Sequence, residues 1–238
     1  MSVTVKSKVV VPELIEKRRG QIVRAAIELF GKHGYHVTTI RDVAGHANVS
    51  IGTIYQYVSD KEDILFLALI EVLDGYLRHI PAALEGVVDP LARFQTAVHA
   101  YCAVNGERID GTTLAYRETK SLRRARRNLI KQKEMDTNKL IEACIDDCIA
   151  AALFHAIDVE LFTYQIVMFS HSWALKAWRF HRLMSLDDYV ARGLNLMLNS
   201  VLTTKGWEVF AKMERMPPGA VKLPLPAADV AQHRRARR

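Results

Sequence analysis

The stretch TIRDVAGHANVSIGTIYQYVSDK, Thr39 to Lys61, decides how this chain folds. Ile40, Val43, Ala44, Ala47, Val49 and Ile54 can all face one small core if a helix starts near Ile40, turns near Asn48 and resumes at Ser50. Polar and small residues are then left outside. Thr39 is placed to cap the first helix and Ser50 the second, because a hydroxyl at a helix start accepts from amides that have no partner inside the helix. Asn48 occupies the turn, where Asn tolerates a left-handed backbone almost as Gly does. Ala44 stands where the two helices cross, and a larger side chain would separate them. Ser59 and Glu62 have the spacing of a capping box, which opens another helix at once. Two short helices held by a tight turn are how a protein presents a helix to the DNA major groove.

On either side of this block amphipathic helical patterns continue with almost no strand signal, so the chain reads as all-α. Helices are expected at about 14–33, 40–46, 50–57, 60–80, 89–107, 111–121, 123–152, 158–181 and 186–204. Trp207 to Met213 form a short tenth segment. Pro81, Asp89-Pro90, Gly106, Gly111 and a Ser185 cap punctuate them.

The chain has 238 residues, half of them hydrophobic, and a net charge of +7. It can bury a full core, and the positive excess suits a polyanionic partner. No apolar run approaches the roughly 20 residues that cross a membrane, and MSVTVKSKVV lacks a secretory pattern, so no membrane partner and a cytoplasmic location are expected. Cys102, Cys144 and Cys148 lack zinc-ligand spacing, and neither a metal nor a cofactor is expected. Cys144 and Cys148 lie one helical turn apart, as buried core residues or as a redox pair. Much of the charge falls in two places. Arg123, Arg124, Arg126, Arg127, Lys131 and Lys133 form one cluster, and Arg234, Arg235, Arg237 and Arg238 end a proline-containing tail, residues 214–238, that reads as disordered from about Pro217. Tyr116 and Lys120 have the Tyr-x-x-x-Lys spacing of short-chain dehydrogenases, but no glycine-rich loop follows a strand, and no zinc-protease or nucleophile-elbow motif occurs. An enzyme is not expected.

RRGQIVRAAIELFGKHGYHVTTIRDVAGHANVSIGTIYQYVSDKEDIL, Arg18 to Leu65, resembles the DNA-binding region of TetR-family transcriptional regulators, departing from it at Asn48, where the family usually has Gly. The resemblance implies a DNA-binding domain with an N-terminal arm over 1–59 and a helical effector-binding and dimerisation domain over 60–213. Residues 60–80 would be the lever between them. It also implies a homodimer on a palindromic operator, a repressor released by a small hydrophobic effector.

On the reading helix, Ile51, Thr53 and Gln56 are the outward candidates. Gln can bond adenine in bidentate fashion, the Ile51 side chain and the Thr53 methyl can pack on thymine methyls, and Gly52 lets the backbone approach. Carried over by position, the resemblance assigns base contacts to Arg41, Ile51, Gly52 and Thr53. It assigns backbone or thymine contacts to Tyr55 and Tyr57, and phosphate contacts to Thr39, Lys61 and the amides that start the helix over 60–80; Ser50, the cap of the reading helix, is a further DNA-binding candidate. Tyr55 has core packing as its alternative, and Lys61 a solvated charge. The family's dimer forms through its last two long helices, where Leu186, Tyr189, Val190, Leu194, Met197, Leu198 and Val201 make an apolar stripe that is otherwise core within one subunit. Phe66, Phe94, Tyr101, Tyr116, Phe169 and Trp173 are candidates to line an effector pocket. YRETKSL, within Leu114 to Glu134, is similar to TetR-type regulators that sense acyl-CoA, with Arg123, Arg124 and Arg127 as partners for CoA phosphates. The alternative function is an effector-free regulator or architectural DNA-binding protein of the same fold.

Overall fold

The structure, a computed structural model, describes residues 5–214. The basic tail therefore lies outside the described residues. The elements are α1 (Pro12–His33), α2 (Ile40–His46), α3 (Ile51–Tyr57), α4 (Lys61–Leu84), α5 (Pro90–Glu107), α6 (Ile109–Glu118), α7 (Arg124–Ala150), α8 (Val159–Leu175), α9 (Ala177–Phe180), α10 (Leu186–Val201) and α11 (Thr204–Glu214). A 3-10 turn, Thr119–Ser121, follows α6. No strand occurs among the described residues; one antiparallel bridge, Phe154 to Leu202, ties the α7–α8 loop to the end of α10. No helix among them is long and apolar enough to cross a membrane.

Helix starts follow the short polar residues that precede them. Thr39 accepts from the Asp42 amide while the Asp42 carboxylate accepts from the Thr39 amide, a reciprocal box that holds α2. Ser50 caps α3, Asp89 caps α5, Asp158 caps α8 and Ser185 caps α10. Asn48 takes the left-handed conformation, φ 51°, in the turn between α2 and α3. Val43, Ala44 and Ala47 then meet Ile54 and the inner face of α1, where Ile22, Val23, Ala26 and Phe30 are buried. The Gln21 amide donates to the Ala47 carbonyl at 2.6 Å and fixes the turn to α1.

The start of α4 differs from the expected Ser59–Glu62 box. Asp60 is the cap, accepting from the Asp63 amide at 2.8 Å, and the Asp63 carboxylate accepts from the Ser59 amide at 2.6 Å. Glu62 is drawn away by Arg123, just before α7, and Arg126, in its first turn. Pro81 does not end α4, which continues to Leu84. The proline is exposed, so the carbonyl it leaves unpaired can reach water, and Ile80 and Ala83 keep the last turn packed. Gly106 and Gly111 likewise lie inside helices.

The expected helix over 158–181 is broken at Lys176. The chain folds back there so that the Phe180 ring packs against Tyr189 (4.8 Å) and Trp173 (6.3 Å). Deep in the larger part, the Asn105 side chain joins four helices. Its oxygen accepts from Tyr76 of α4 and Thr112 of α6, both at 2.7 Å, and its nitrogen donates to Ser170 of α8 at 2.5 Å. Each polar atom buried there is thereby paired, which a core of this kind requires.

The turn conformation gives a direct test. Asn48→Val should lower stability by about 1–2 kcal/mol, the cost of a left-handed residue with a branched Cβ, whereas Asn48→Gly should leave the urea midpoint nearly unchanged.

Candidate nucleic-acid interface and effector cavity

In α3, Ile54 and Tyr57 point into the core, and Ile51, Gly52, Tyr55 and Gln56 are exposed, with Thr53 half-exposed. The outward residues are those that a helix of seven residues, about 10 Å long, can offer to a groove. Thr39, Arg41 and Ser50 are exposed beside them. Tyr55 is 43 % exposed, which removes its core alternative. Tyr57 is the reverse. It is 3 % exposed, and its carbonyl accepts from the Arg19 guanidinium, so its ring is unavailable to DNA.

Lys61 also takes a role other than the one expected. Its ammonium donates to the carbonyls of Tyr35, His36 and Thr38 at 2.9, 3.2 and 3.0 Å and lies 4.5 Å from the Tyr35 ring centroid. Three donors meet three carbonyls, so none remains for a phosphate. Partial burial lowers its pKa. Lys61 thus clamps the turn between α1 and α2 onto the start of α4.

The arginine cluster expected at a ligand mouth faces that same start. Arg123 bonds Glu62 and Asp60, each at 2.6 Å. Arg126 is buried against Asp63 and Glu62, with the Phe66 ring 5.3 Å from its guanidinium carbon. Lys133 pairs with Asp74 at 2.6 Å. The YRETKSL stretch packs towards the DNA-facing part: His36, in the α1–α2 turn, lies 3.5 Å from Glu118 and 3.4 Å from Ser121. Arg123 is therefore engaged by the protein, whereas Arg124 is exposed and Arg127 half-exposed.

A cavity of about 440 Å³ opens elsewhere, between α5, the end of α8 and the start of α10. His99, Ala103, Gly106 and Glu107 form one wall; Trp173, His181, Met184, Ser185, Leu186 and Asp187 form the others. Of the residues expected to line a pocket, Trp173 is the one that lines this cavity. Phe66 lies against Arg126, Phe94 packs on Phe154, Tyr101 stacks on Tyr76 and Phe169 stacks on Tyr189, each ring filling core. A Cβ on Gly106 would stand 2.6 Å from Leu186, so this glycine lets the wall residues close in. Of the lining residues, the sequence marks Trp173 as a pocket candidate, Leu186 as part of the apolar stripe, and Gly106 and Ser185 as helix punctuation; a glycine inside a helical pattern also signals close approach, and that is the available hint to the rest. His99 meets Asp187 at 3.1 Å, and the His181 ring lies 4.7 Å from Trp173.

The apolar stripe of α10 is used within the subunit. Tyr189, Val190, Leu194, Leu198 and Val201 are buried, Met197 packs on the core and Leu186 lines the cavity. Helical spacing identified a buried face, and α5 and α8 are what it meets. The large apolar residues left outside on these helices are Leu161, Tyr164 and Met168 of α8, at intervals of one turn, and Leu196 of α10, 76 % exposed. The cysteines are all buried, and burial pushes the thiols of Cys102 and Cys148 up to about 12. A thiolate is then scarce near neutral pH, which favours the core reading of Cys144 and Cys148.

His171 is buried beside Tyr116, whose hydroxyl lies 2.9 Å from Nδ1, and burial lowers its pKa from 6.5 to about 4. The ring stays neutral in the fold while the unfolded chain takes up a proton. Its contribution is complete above pH 6.5 and is lost as pH falls towards 4. The loss is on the order of 3 kcal/mol at most. Thermal melts across this window should show His171→Gln falling less steeply than wild type.

Residues 22–68 match the family described as bacterial regulatory proteins, tetR family, and residues 87–175 match a tetracyclin repressor-like C-terminal domain. The chain is 48 % identical over 221 residues to the HTH-type transcriptional regulator HbdR of Aromatoleum sp. (strain CIB), covering 93 % of this chain and 96 % of that protein. A bacterial regulatory protein in the tetR family from Rhodococcus RHA1 superposes with a TM-score of 0.71 at 25 % identity, over 79 % of this chain and 98 % of that one. The fatty acid degradation regulator FadR from Bacillus halodurans does so with 0.64 at 20 % identity, over 76 % and 94 %.

Proposed function

Because the chain belongs to the tetR family of bacterial regulatory proteins, and is a transcriptional regulator rather than an enzyme, we propose that it is a homodimeric repressor released from a palindromic operator by a small hydrophobic effector. The observation that carries the DNA-reading half is the division of α3. Ile54 and Tyr57 anchor the helix, and Ile51, Gly52, Thr53, Tyr55 and Gln56 face outward. Gln56 supplies the bidentate donor and acceptor for adenine, while Ile51 and Thr53 pack on thymine methyls. Thr39, Arg41 and Ser50 border the same groove. The DNA-binding domain comprises residues 1–59, and residues 60–213 form the effector and dimerisation domain.

The effector occupies the cavity between α5, α8 and α10. Trp173, Met184 and Leu186 offer it apolar surface. An acyl-CoA is the leading candidate, supported by the similarity in fold to a fatty acid degradation regulator. The cavity's own carboxylates, Glu107 and Asp187, would repel phosphates, which leaves the cavity to the uncharged acyl portion against Trp173, Met184 and Leu186. The phosphates would fall to the exposed Lys176, Arg179 and Arg182, on the segment that also provides His181 and Met184.

One reading head covers too few base pairs to select a genomic site, so a two-fold pair is required. Leu161, Tyr164, Met168 and Leu196 form the self-complementary face, replacing the inward stripe. Met168→Glu with Leu196→Glu should convert a dimer to a monomer in sedimentation and weaken operator binding; a dimer unaffected by both would place the interface elsewhere.

The deciding experiment is fluorescence anisotropy on a labelled fragment from upstream of the protein's own gene, at fixed salt, titrated with acyl-CoAs, free fatty acids and aromatic compounds. Release by one chain-length window of acyl-CoA supports the whole reading. Tight binding that no compound weakens favours a regulator without an effector. Gln56→Ala should lower affinity for the fragment about 5- to 150-fold, the worth of one bidentate base contact, with little change on random-sequence DNA.

A further inference from the structure

The segment before α1 lies outside the family match, which begins at residue 22, yet it is built into the head. Val5 is 4 % exposed within the core. The Arg19 guanidinium donates to the Val5 carbonyl at 2.6 Å and to the Tyr57 carbonyl at 2.9 Å, joining the segment to the end of α3. The Gln56 carbonyl accepts from the Lys8 amide at 2.8 Å and from the Ser7 hydroxyl at 3.1 Å. Ser7 in turn accepts from the Val9 amide. An extended segment alternates its side chains. Here Val5, Ser7 and Val9 turn towards the protein, and Lys6 and Lys8 stand exposed beside the last turn of α3.

A seven-residue helix is about 10 Å long and the major groove about 12 Å wide. Whatever runs along the end of α3 therefore meets the groove wall, which is phosphate. Lys61 has no donor left for that wall. We propose that Lys6 and Lys8 form a phosphate-binding arm that grips the DNA backbone beside the groove entered by α3. The inference rests on the reading of α3 as the base-contacting helix. A lysine ammonium is a compact charge on a flexible stem and suits a phosphate more than a base edge. The arm adds affinity for any sequence and sets how far the helix seats.

The test compares full-length wild type with Lys6→Gln/Lys8→Gln on a labelled random-sequence duplex and on the upstream fragment, over a series of salt concentrations. Each lost phosphate contact flattens the plot of log affinity against log salt by about 0.9, so the double variant should be shallower by about 1.8 per head on both duplexes. Preference between the duplexes should not change. The melting temperature should hold, because both side chains are exposed, and Lys6→Arg/Lys8→Arg should restore the slope. A wild-type slope retained by the glutamine variant would sink the arm alone, as would a loss confined to the upstream fragment. Wild type that binds neither duplex would sink the α3 reading and the arm with it.

Discussion

The structure turns on the ionic contact between the start of α4 and the start of α7. The side chain of Asp63 is 3 % exposed and that of Arg126 11 %, and each is the other's main partner. Charges so enclosed add little net stability over an apolar pair, yet removing one alone leaves the other stranded at a cost of about 3–5 kcal/mol. Such a pair acts as a register mark. Asp63 also accepts from the Ser59 amide, so the same carboxylate sets where α4 begins. One residue earlier in this turn Glu62 holds Arg123, and one before that Lys61 points the opposite way, onto the carbonyls of Tyr35, His36 and Thr38. Three consecutive residues thus bind the DNA-facing part to the larger helical part.

What sequence made legible was local. Thr39, Ser50, Asp89 and Ser185 cap helices within three residues of themselves, and Asn48 turns the chain by its own backbone preference; each needs no distant partner to be recognised. The outward row of α3 was legible for the same reason, since helical period assigns Ile54 inward and Gln56 outward. Tyr57 was misread because a tyrosine serves as core or contact equally well, and only the packing of α1 and the bond from Arg19 decide it. Lys61 and Arg123 look like solvent-facing cations in the chain. Their partners are 23 to 26 residues away for Lys61, and 61 and 63 for Arg123, a separation that no local pattern reports.

The stripe on α10 and the aromatic set show a second limit. An amphipathic period says that one face is covered, not by what. In α10 the cover is α5 and α8 of the same chain, and the opposite face, where Leu196 stands among polar residues, is left exposed. The aromatic rings mostly satisfy one another, as in Tyr76 on Tyr101 and Phe169 on Tyr189, separated by 4.2 and 4.4 Å. The cavity takes one of the aromatic candidates, Trp173, and is otherwise walled largely by small, polar and charged residues such as Ala103, Gly106, Ser185 and Glu107, which an aromatic pattern does not report.

The cavity and the α4 joint are connected by the last turn of α5. Gly106 and Glu107 line the cavity, and the next residue, Arg108, donates to both the backbone and the carboxylate of Glu71 on α4, each at 3.2 Å. On the same side a Cβ on Gly75 would stand 3.3 Å from Val104, so α4 and α5 are in close contact along this stretch. Glu71 lies ten residues along α4 from Lys61, about 15 Å at 1.5 Å per residue, and a helix is stiff over that length. If the cavity holds the effector, as proposed, an occupant that displaced the end of α5 would therefore tilt α4 about its anchored start instead of bending it. The coupling needed to change operator affinity several-fold to a hundredfold is about 1 to 3 kcal/mol. A partly exposed ion pair such as Arg108–Glu71 contributes at most about 1 kcal/mol, so the pair and the packing beside it are of the right size to be exchanged when an effector enters, while the Arg126–Asp63 contact is strong enough to remain the pivot.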